Sequence, residues 1–295
     1  MNIRNITKKI ALGTVQFGLP YGVANIDGQV SKEIANEILS FAFKSGIRKL
    51  DTAINYGESE KCLGEIGVDE WKVTTKIPAF PENCPDITSW INEQIDGSLK
   101  RLRISKVDGL MLHSTNQLHG ANGEELWKAL QDLKNQGVAE KIGFSIYDPE
   151  ELNSIWRDFP PDIIQAPYNI LDKRLKTSFF LKKLHEQGIE IQVRSVFLQG
   201  LLLMENAQRP AKFDHWKTLW KSWDHWLAEK QLTPLEACLS FVVDEKMIDH
   251  VVVGVEKLSQ LKEIIDSSAK QIGSIPQELK INDQNLINPS NWNKL

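Results

Sequence analysis

The sequence predicts an α/β protein folded as a single (β/α)8 barrel of the TIM type, and three observations carry that prediction. Short apolar runs alternate with longer amphipathic stretches along most of the chain. Eight of those runs have strand length. No Gly-x-Gly-x-x-Gly turn follows the first of them, as an open doubly wound sheet would normally show. With 295 residues the chain is long enough for one barrel, which typically needs about 250. No linker, low-complexity tract or long charge run marks a boundary, so residues 1–295 are read as one domain.

Strands are expected at Ile10–Val15, Lys49–Thr52, Lys72–Lys76, Gly109–His113, Lys141–Ser145, Ile163–Ala166, Ile189–Ser195 and His250–Val253. Helix-length segments between them carry apolar residues three and four apart. Ile34, Ile38, Phe41 and Ala42 make one stripe; Ile95, Leu99 and Leu102 make another. Several helices end in a turn glycine before the next strand, as at Gly46, Gly137 and Gly188. Two stretches interrupt the repeat, Leu201 to Lys212 and the helical segment Phe213 to Lys230. The second carries Trp216, Trp220, Trp223 and Trp226 on one helical face. That stripe reads first as packing for a peripheral helix, with a wall of a substrate pocket as the alternative. The segment 271–295 is a C-terminal tail to which the sequence assigns no role.

Thirty-five basic against thirty-nine acidic side chains leave a formal charge of -4. That balance provides no field for nucleic acid or an anionic membrane. No run of eighteen apolar residues is present, and the first residues lack the apolar core of a secretory signal. A cytoplasmic protein is expected. Cys62, Cys84 and Cys238 are far apart and odd in number, which argues against a disulfide framework or a bound metal.

In a barrel, functional groups collect where strands end. Those positions hold Asp51, Lys76 and His113, and Tyr56 lies in the loop after Asp51. Singly, each has an ordinary explanation: a strand-end lysine is usually solvated, and a histidine or tyrosine usually packs. Together they make a proton-transfer centre. A free phenol titrates near ~10, and an adjacent ammonium is expected to lower that value. Asp51 would hold Lys76 charged, and a neutral His113 would donate to a carbonyl oxygen. Tyr56 would then protonate that oxygen as a hydride reaches carbon. No side chain is a hydride source, so a nicotinamide cofactor is required.

At these residues the chain resembles the aldo-keto reductase family. The resemblance runs from about residue 10 to residue 270. It rests on Leu12-Gly13-Thr14, Asp51-Thr52-Ala53-x-x-Tyr56-Gly57, Lys76, Leu112-His113 and Lys141-Ile142-Gly143-Phe144-Ser145. It continues through Gln165-x-x-Tyr168-Asn169, Gln199-Gly200-Leu201-Leu202, Thr233-Pro234-x-x-Ala237 and Val251-Val252-Val253-Gly254, with Gln260-Leu261 following. The resemblance implies an NAD(P)H-dependent carbonyl reductase with a small-molecule carbonyl substrate and Asp51, Tyr56, Lys76 and His113 as its catalytic four. It further implies that Ser145 and Gln165 hold the nicotinamide carboxamide. Gly13, Thr14, Arg194, Ser195, Leu198, Gly200, Gly254, Lys257 and Gln260 would complete the cofactor shell. NADP(H) is the favoured cofactor and NAD(H) the alternative.

Several positions depart from the family's pattern. Ile146 stands where asparagine usually follows the strand-five serine, and Arg194 where an aromatic usually stacks on the nicotinamide. Glu256 stands where an arginine commonly meets the 2′-phosphate, and Ile264 where an asparagine commonly meets adenine. Tyr21 and Trp90 read first as structural, with an apolar or sugar-stacking substrate surface as the alternative. Two other functions remain in view, a Schiff-base lyase using Lys76 and a cofactor-binding regulatory subunit with little turnover.

Overall fold

A computed structural model describes residues 3–267, 270 and 272–295, so Gln271, the first residue of the expected tail, lies outside the described residues. The strands are β1 (Ile10–Gly13), β2 (Lys49–Asp51), β3 (Lys72–Ile77), β4 (Val107–Leu112), β5 (Ala139–Ser145), β6 (Ile163–Pro167), β7 (Glu190–Arg194) and β8 (His250–Gly254). All pair in parallel, and β8 pairs with β1 to close the barrel. The helices are α1 (Ile3–Lys9), α2 (Lys32–Lys44), α3 (Ser59–Ile66), α4 (Ile87–Leu102), α5 (Gly123–Asn135) and α6 (Leu152–Ile155). They continue with α7 (Arg174–Thr177), α8 (Phe180–Glu186), α9 (Lys217–Lys230), α10 (Pro234–Val243), α11 (Leu258–Asp266) and α12 (Gln284–Ile287). Among the described residues no helix is long and apolar enough to cross a membrane.

Strand register decides which side chains enter the barrel. Gly13 stands beside Asp51 and Gly254, Asp51 beside Thr74, Ser145 beside Gln165, and Gln165 beside Gln192. Residues in register share a face, and alternate residues face opposite ways. One row therefore carries Asp51, Thr74, Lys76, Ser145, Gln165, Gln192 and Arg194 inward. The other row, with Leu12, Leu50, Val73, Leu110, Phe144, Ile164, Ile191 and Val251, is buried outside the barrel beneath the helices. The apolar core is thus the shell between strands and helices, and the barrel interior is polar.

Local chemistry fixes the helix ends. Ser31 accepts from Ile34 N at 3.4 Å and Asp86 from Ser89 N at 2.8 Å, each capping a helix start. At α10, Thr233 and Glu236 form a reciprocal capping box. The expected turn glycines Gly46, Gly137 and Gly188 all have positive φ. The strand bounds differ from expectation by three residues or fewer. The α2 stripe differs more, because Ala35, Ile38, Leu39 and Ala42 are buried while Ile34 is 39% exposed. The helix before β1 had no counterpart in the sequence reading.

The tryptophan stripe packs as first read. Trp220, Trp223 and Trp226 of α9 are fully covered. The same region docks the tail. The Trp216 indole donates to Asp283 at 3.0 Å, Lys212 Nζ donates to Trp292 O at 3.1 Å, and Trp292 meets Phe213 edge-on at 4.8 Å between ring centres. Trp292→Ala is expected to destabilise the protein by about 3–5 kcal/mol, as for other buried aromatic truncations. A urea midpoint equal to wild type would show that the tail adds nothing to the core.

Candidate active site

The four expected residues converge at the C-terminal ends of β2, β3 and β4. Lys76 Nζ, in the barrel interior, donates to Asp51 Oδ1 at 2.7 Å and to Thr52 O at 3.0 Å, with the Tyr56 hydroxyl at 3.5 Å. The Lys76 and Asp51 side chains are 1% and 5% exposed, so each needs the other's charge. Tyr56 meets His113 edge to face, ring centres 5.6 Å apart. The Tyr56 loop is set by backbone contact. A Cβ on Gly18 would lie 1.9 Å from Tyr56 O, and one on Gly57, at φ +54, would lie 2.4 Å from Gly18 O.

The electrostatics differ from the expected form in one respect. Lys76 was expected to lower the phenol pKa, but its charge is neutralised by Asp51 at hydrogen-bond distance. Burial, and then the Asp51 carboxylate, push the Tyr56 phenol well above the ordinary tyrosine range. Burial also draws the Lys76 ammonium down, against the opposing pull of Asp51. The His113 imidazole is pushed down to about 4, by burial first and by Lys76 second, so it is neutral at physiological pH.

These groups open into a cavity of about 990 Å³ lined by Tyr56, His113, Asp51, Gly13, Thr14, Ser145, Gln165, Arg194, Ser195, Gly200, Gly254 and Gln260. Lys76 does not line it: its side chain is 1% exposed and its amine donates to Asp51 and Thr52. Leu198, expected in the cofactor shell, is wholly buried and does not line the cavity; its φ of 49° belongs to a loop in which Ser195 and Gln199 are also left-handed. Lys257 is also turned aside and pairs with Asp27 at 2.7 Å. Sequence reasoning missed Gln16, Tyr147 and the tail residues Pro289 and Ser290, which line the cavity; Tyr21 lines it too, as the alternative reading of that residue had it.

The residues fit a nicotinamide. Gln165 Nε2 donates to Asp51 Oδ1 at 2.7 Å and to Gln192 Oε1 at 3.2 Å, while Gln192 Nε2 donates to Glu190 at 3.1 Å. Carboxylates only accept, so the chain of amides has a single orientation. It leaves Gln165 Oε1 buried and without a partner on the cavity wall, beside Ser145. A carboxamide, which offers both donor and acceptor, satisfies such a pair. At the far end the wall is acidic. Glu256 and Glu263 line it, and Gln260 Oε1 accepts from Glu256 N at 2.7 Å. Burial is the first cause of a raised Glu256 pKa, and Asp27 adds to it.

The Aldo/keto reductase family model matches residues 9–276. The chain belongs to the aldo/keto reductase family. It is therefore a nicotinamide-dependent carbonyl reductase built on a TIM barrel. The chain is 27% identical over 305 residues to D-threo-aldose 1-dehydrogenase of a Pseudomonas species, covering 89% of this chain and 92% of that protein. It is 28% identical over 226 residues to NADH-specific methylglyoxal reductase of Escherichia coli, covering 66% of this chain and 69% of that one. Among solved structures, the holo form of aldo-keto reductase AKR11C1 from Bacillus halodurans superposes with a TM-score of 0.70 at 21% identity, covering 92% of this chain and 90% of that one. That likeness speaks for the fold.

Acid sensitivity follows from two histidines. Burial pushes both His113 and His250 from 6.5 to about 4. Their contribution is complete above pH 6.5. As pH falls toward 4 the unfolded chain binds protons that the folded chain does not, so stability is lost through that window. Glu190, held down to about 2 by Lys49 and Lys141 against the cost of burial, adds a further loss that begins below pH 4.5 and runs toward pH 2. Urea midpoints are expected to drop between pH 6.5 and 4, with His250→Leu flattening the drop by roughly half. Parallel curves for variant and wild type would remove His250 from the account.

Proposed function

We propose that the protein reduces a small aldehyde or ketone with NADH in preference to NADPH, using Tyr56 as the proton donor. The observation that supports this reading best is the meeting of Tyr56 and His113 with the unpartnered Gln165 acceptor in one cavity. A reduced nicotinamide, when bound, supplies the hydride; Gln165 and Ser145 would hold its carboxamide. His113, neutral, donates a hydrogen bond that orients the substrate carbonyl. Tyr56, which keeps its proton across the neutral range, passes that proton to the oxygen as an alkoxide develops there. Lys76, held by Asp51, places its ammonium 3.5 Å from the Tyr56 hydroxyl and so fixes the direction of the phenol.

The cofactor preference reverses the expectation drawn from the resemblance. A 2′-phosphate is dianionic and would meet the carboxylates of Glu256 and Glu263, with Lys257 drawn off by Asp27. A free 2′-hydroxyl would meet acceptors. The NADH specificity of the similar methylglyoxal reductase agrees with this reading.

The decisive experiment follows loss of reduced-cofactor absorbance with methylglyoxal, glyceraldehyde, a keto-sugar and a quinone. Binding of NADH with no turnover of any carbonyl would leave a non-catalytic, cofactor-binding role. Tyr56→Phe is expected to lower kcat by about 10²- to 10⁴-fold with NADH affinity essentially kept; wild-type kcat in this variant would refute the assignment. For the cofactor, kcat/KM should be higher with NADH, and Glu256→Arg should move the ratio toward NADPH by about tenfold or more. A wild-type preference for NADPH above roughly a hundredfold would show that Glu256 does not govern the choice.

A further inference from the structure

We propose that Arg194 makes this cavity hold the reduced nicotinamide in preference to the oxidised one. The inference rests on the nicotinamide reading above and goes beyond it to the charge state of the cofactor that the cavity holds.

Arg194 ends β7 on the inward row. Among the described residues it is the one lysine or arginine that lines the cavity. Its guanidinium donates to Ser145 Oγ at 3.4 Å, to Ser195 Oγ at 3.3 Å and to Ile146 O at 3.0 Å, and it lies over the Tyr147 ring at 4.5 Å. All three acceptors are neutral. Arg194 is half-buried, and these contacts hold it in place without a carboxylate. Ile146, which stands where the family carries asparagine, contributes the carbonyl that anchors it.

Position makes the charge matter. Arg194 touches Ser145, and Ser145 shares the recess with the unpartnered Gln165 acceptor. Its field also reaches Tyr56 and His113. A nicotinamide that delivers hydride to a carbonyl held by Tyr56 and His113 must sit within that field. Asp51, paired with Lys76, pulls the other way at Tyr56 and His113, while Arg194 is the charge in contact with Ser145.

The two forms of the cofactor differ by one charge at the ring. The oxidised ring is cationic and the reduced ring is neutral, while the rest of the molecule is the same in both. Contacts to the diphosphate and adenosine cancel in the ratio of affinities, and the repulsion from Arg194 does not. A guanidinium stays charged at every accessible pH, so the bias is permanent.

The test is calorimetric binding of NADH and of NAD⁺, without substrate, to wild type, Arg194→Gln and Arg194→Lys. Wild type is expected to bind NADH at least tenfold more tightly than NAD⁺. Arg194→Gln should shrink that ratio about tenfold, mainly through tighter NAD⁺ binding, and Arg194→Lys should keep it. The midpoint potential of the bound couple should fall correspondingly in Arg194→Gln, by about 30 mV per tenfold change in the ratio. Equal ratios in wild type and Arg194→Gln, with both cofactors binding, would overturn the charge argument and leave the nicotinamide reading standing. Failure of both forms to bind wild type would overturn the nicotinamide reading and this inference with it.

Discussion

The buried pair of Lys76 and Asp51 is the interaction on which the rest of the site depends. Neither charge is tolerable alone in the barrel interior, and together at 2.7 Å they form a neutral, directional unit. Asp51 also accepts from Gln165 across the barrel, which ties β2 to β6. Lys76 also donates to Thr52 O at the start of the Tyr56 loop. A single ion pair therefore sets the tyrosine, the carboxamide acceptor and the relative position of three strands. A second charged group, Lys49 with Asp108 and Glu190, occupies the other end of the barrel and anchors the amide chain from below. Gln192 and Gln165 span the distance between the two groups, with a carboxylate at each end that can only accept.

Much of this was legible in the sequence because barrels write their function at strand ends. The eight apolar runs and the turn glycines gave the topology, and Asp51, Lys76 and His113 stood where strands stop. The unread parts share a physical cause: they depend on where a side chain turns rather than on where its residue lies. Glu256 and Lys257 are adjacent in sequence, yet Glu256 faces the cavity and Lys257 reaches to Asp27. The direction of the Tyr56 shift depended on whether Lys76 or burial dominates, which a list of neighbouring residue types does not decide. Pro289 and Ser290 reach the cavity only because Trp216 and Phe213 dock the tail, a contact between segments about seventy residues apart. Ile34 shows the limit of periodicity: Ile38 and Ala42 of the expected stripe are buried, but Ile34 is exposed and the buried face takes Ala35 and Leu39 instead.

Charge is distributed unevenly along the cavity. The end near Tyr56 holds the Arg194 cation, and the far end holds Glu256 and Glu263. A bound molecule thus lies along a gradient of potential, and its own charges decide which end each part occupies. The loops after β1 and β7 meet beside this gradient. Gln199 Nε2 donates to the Tyr21 hydroxyl at 3.0 Å, and Ala24 N donates to Gln199 O at 3.4 Å.

The contact of Gly18 with Gly57 bears on how this scaffold can diversify. A side chain at either position would run into peptide backbone rather than into a side chain able to yield, so both are closed to variation while Tyr56 keeps its place. The outer wall is made differently. Leu203, Met204, Gln208, Pro289 and Ser290 come from the segments after β7 and from the tail, outside the barrel proper. Selection or engineering can rewrite those positions without disturbing the glycine contact or the ion pair behind it. The molecule thus separates an immutable hinge of chemistry from an editable rim of specificity, and new substrates would be acquired at the rim.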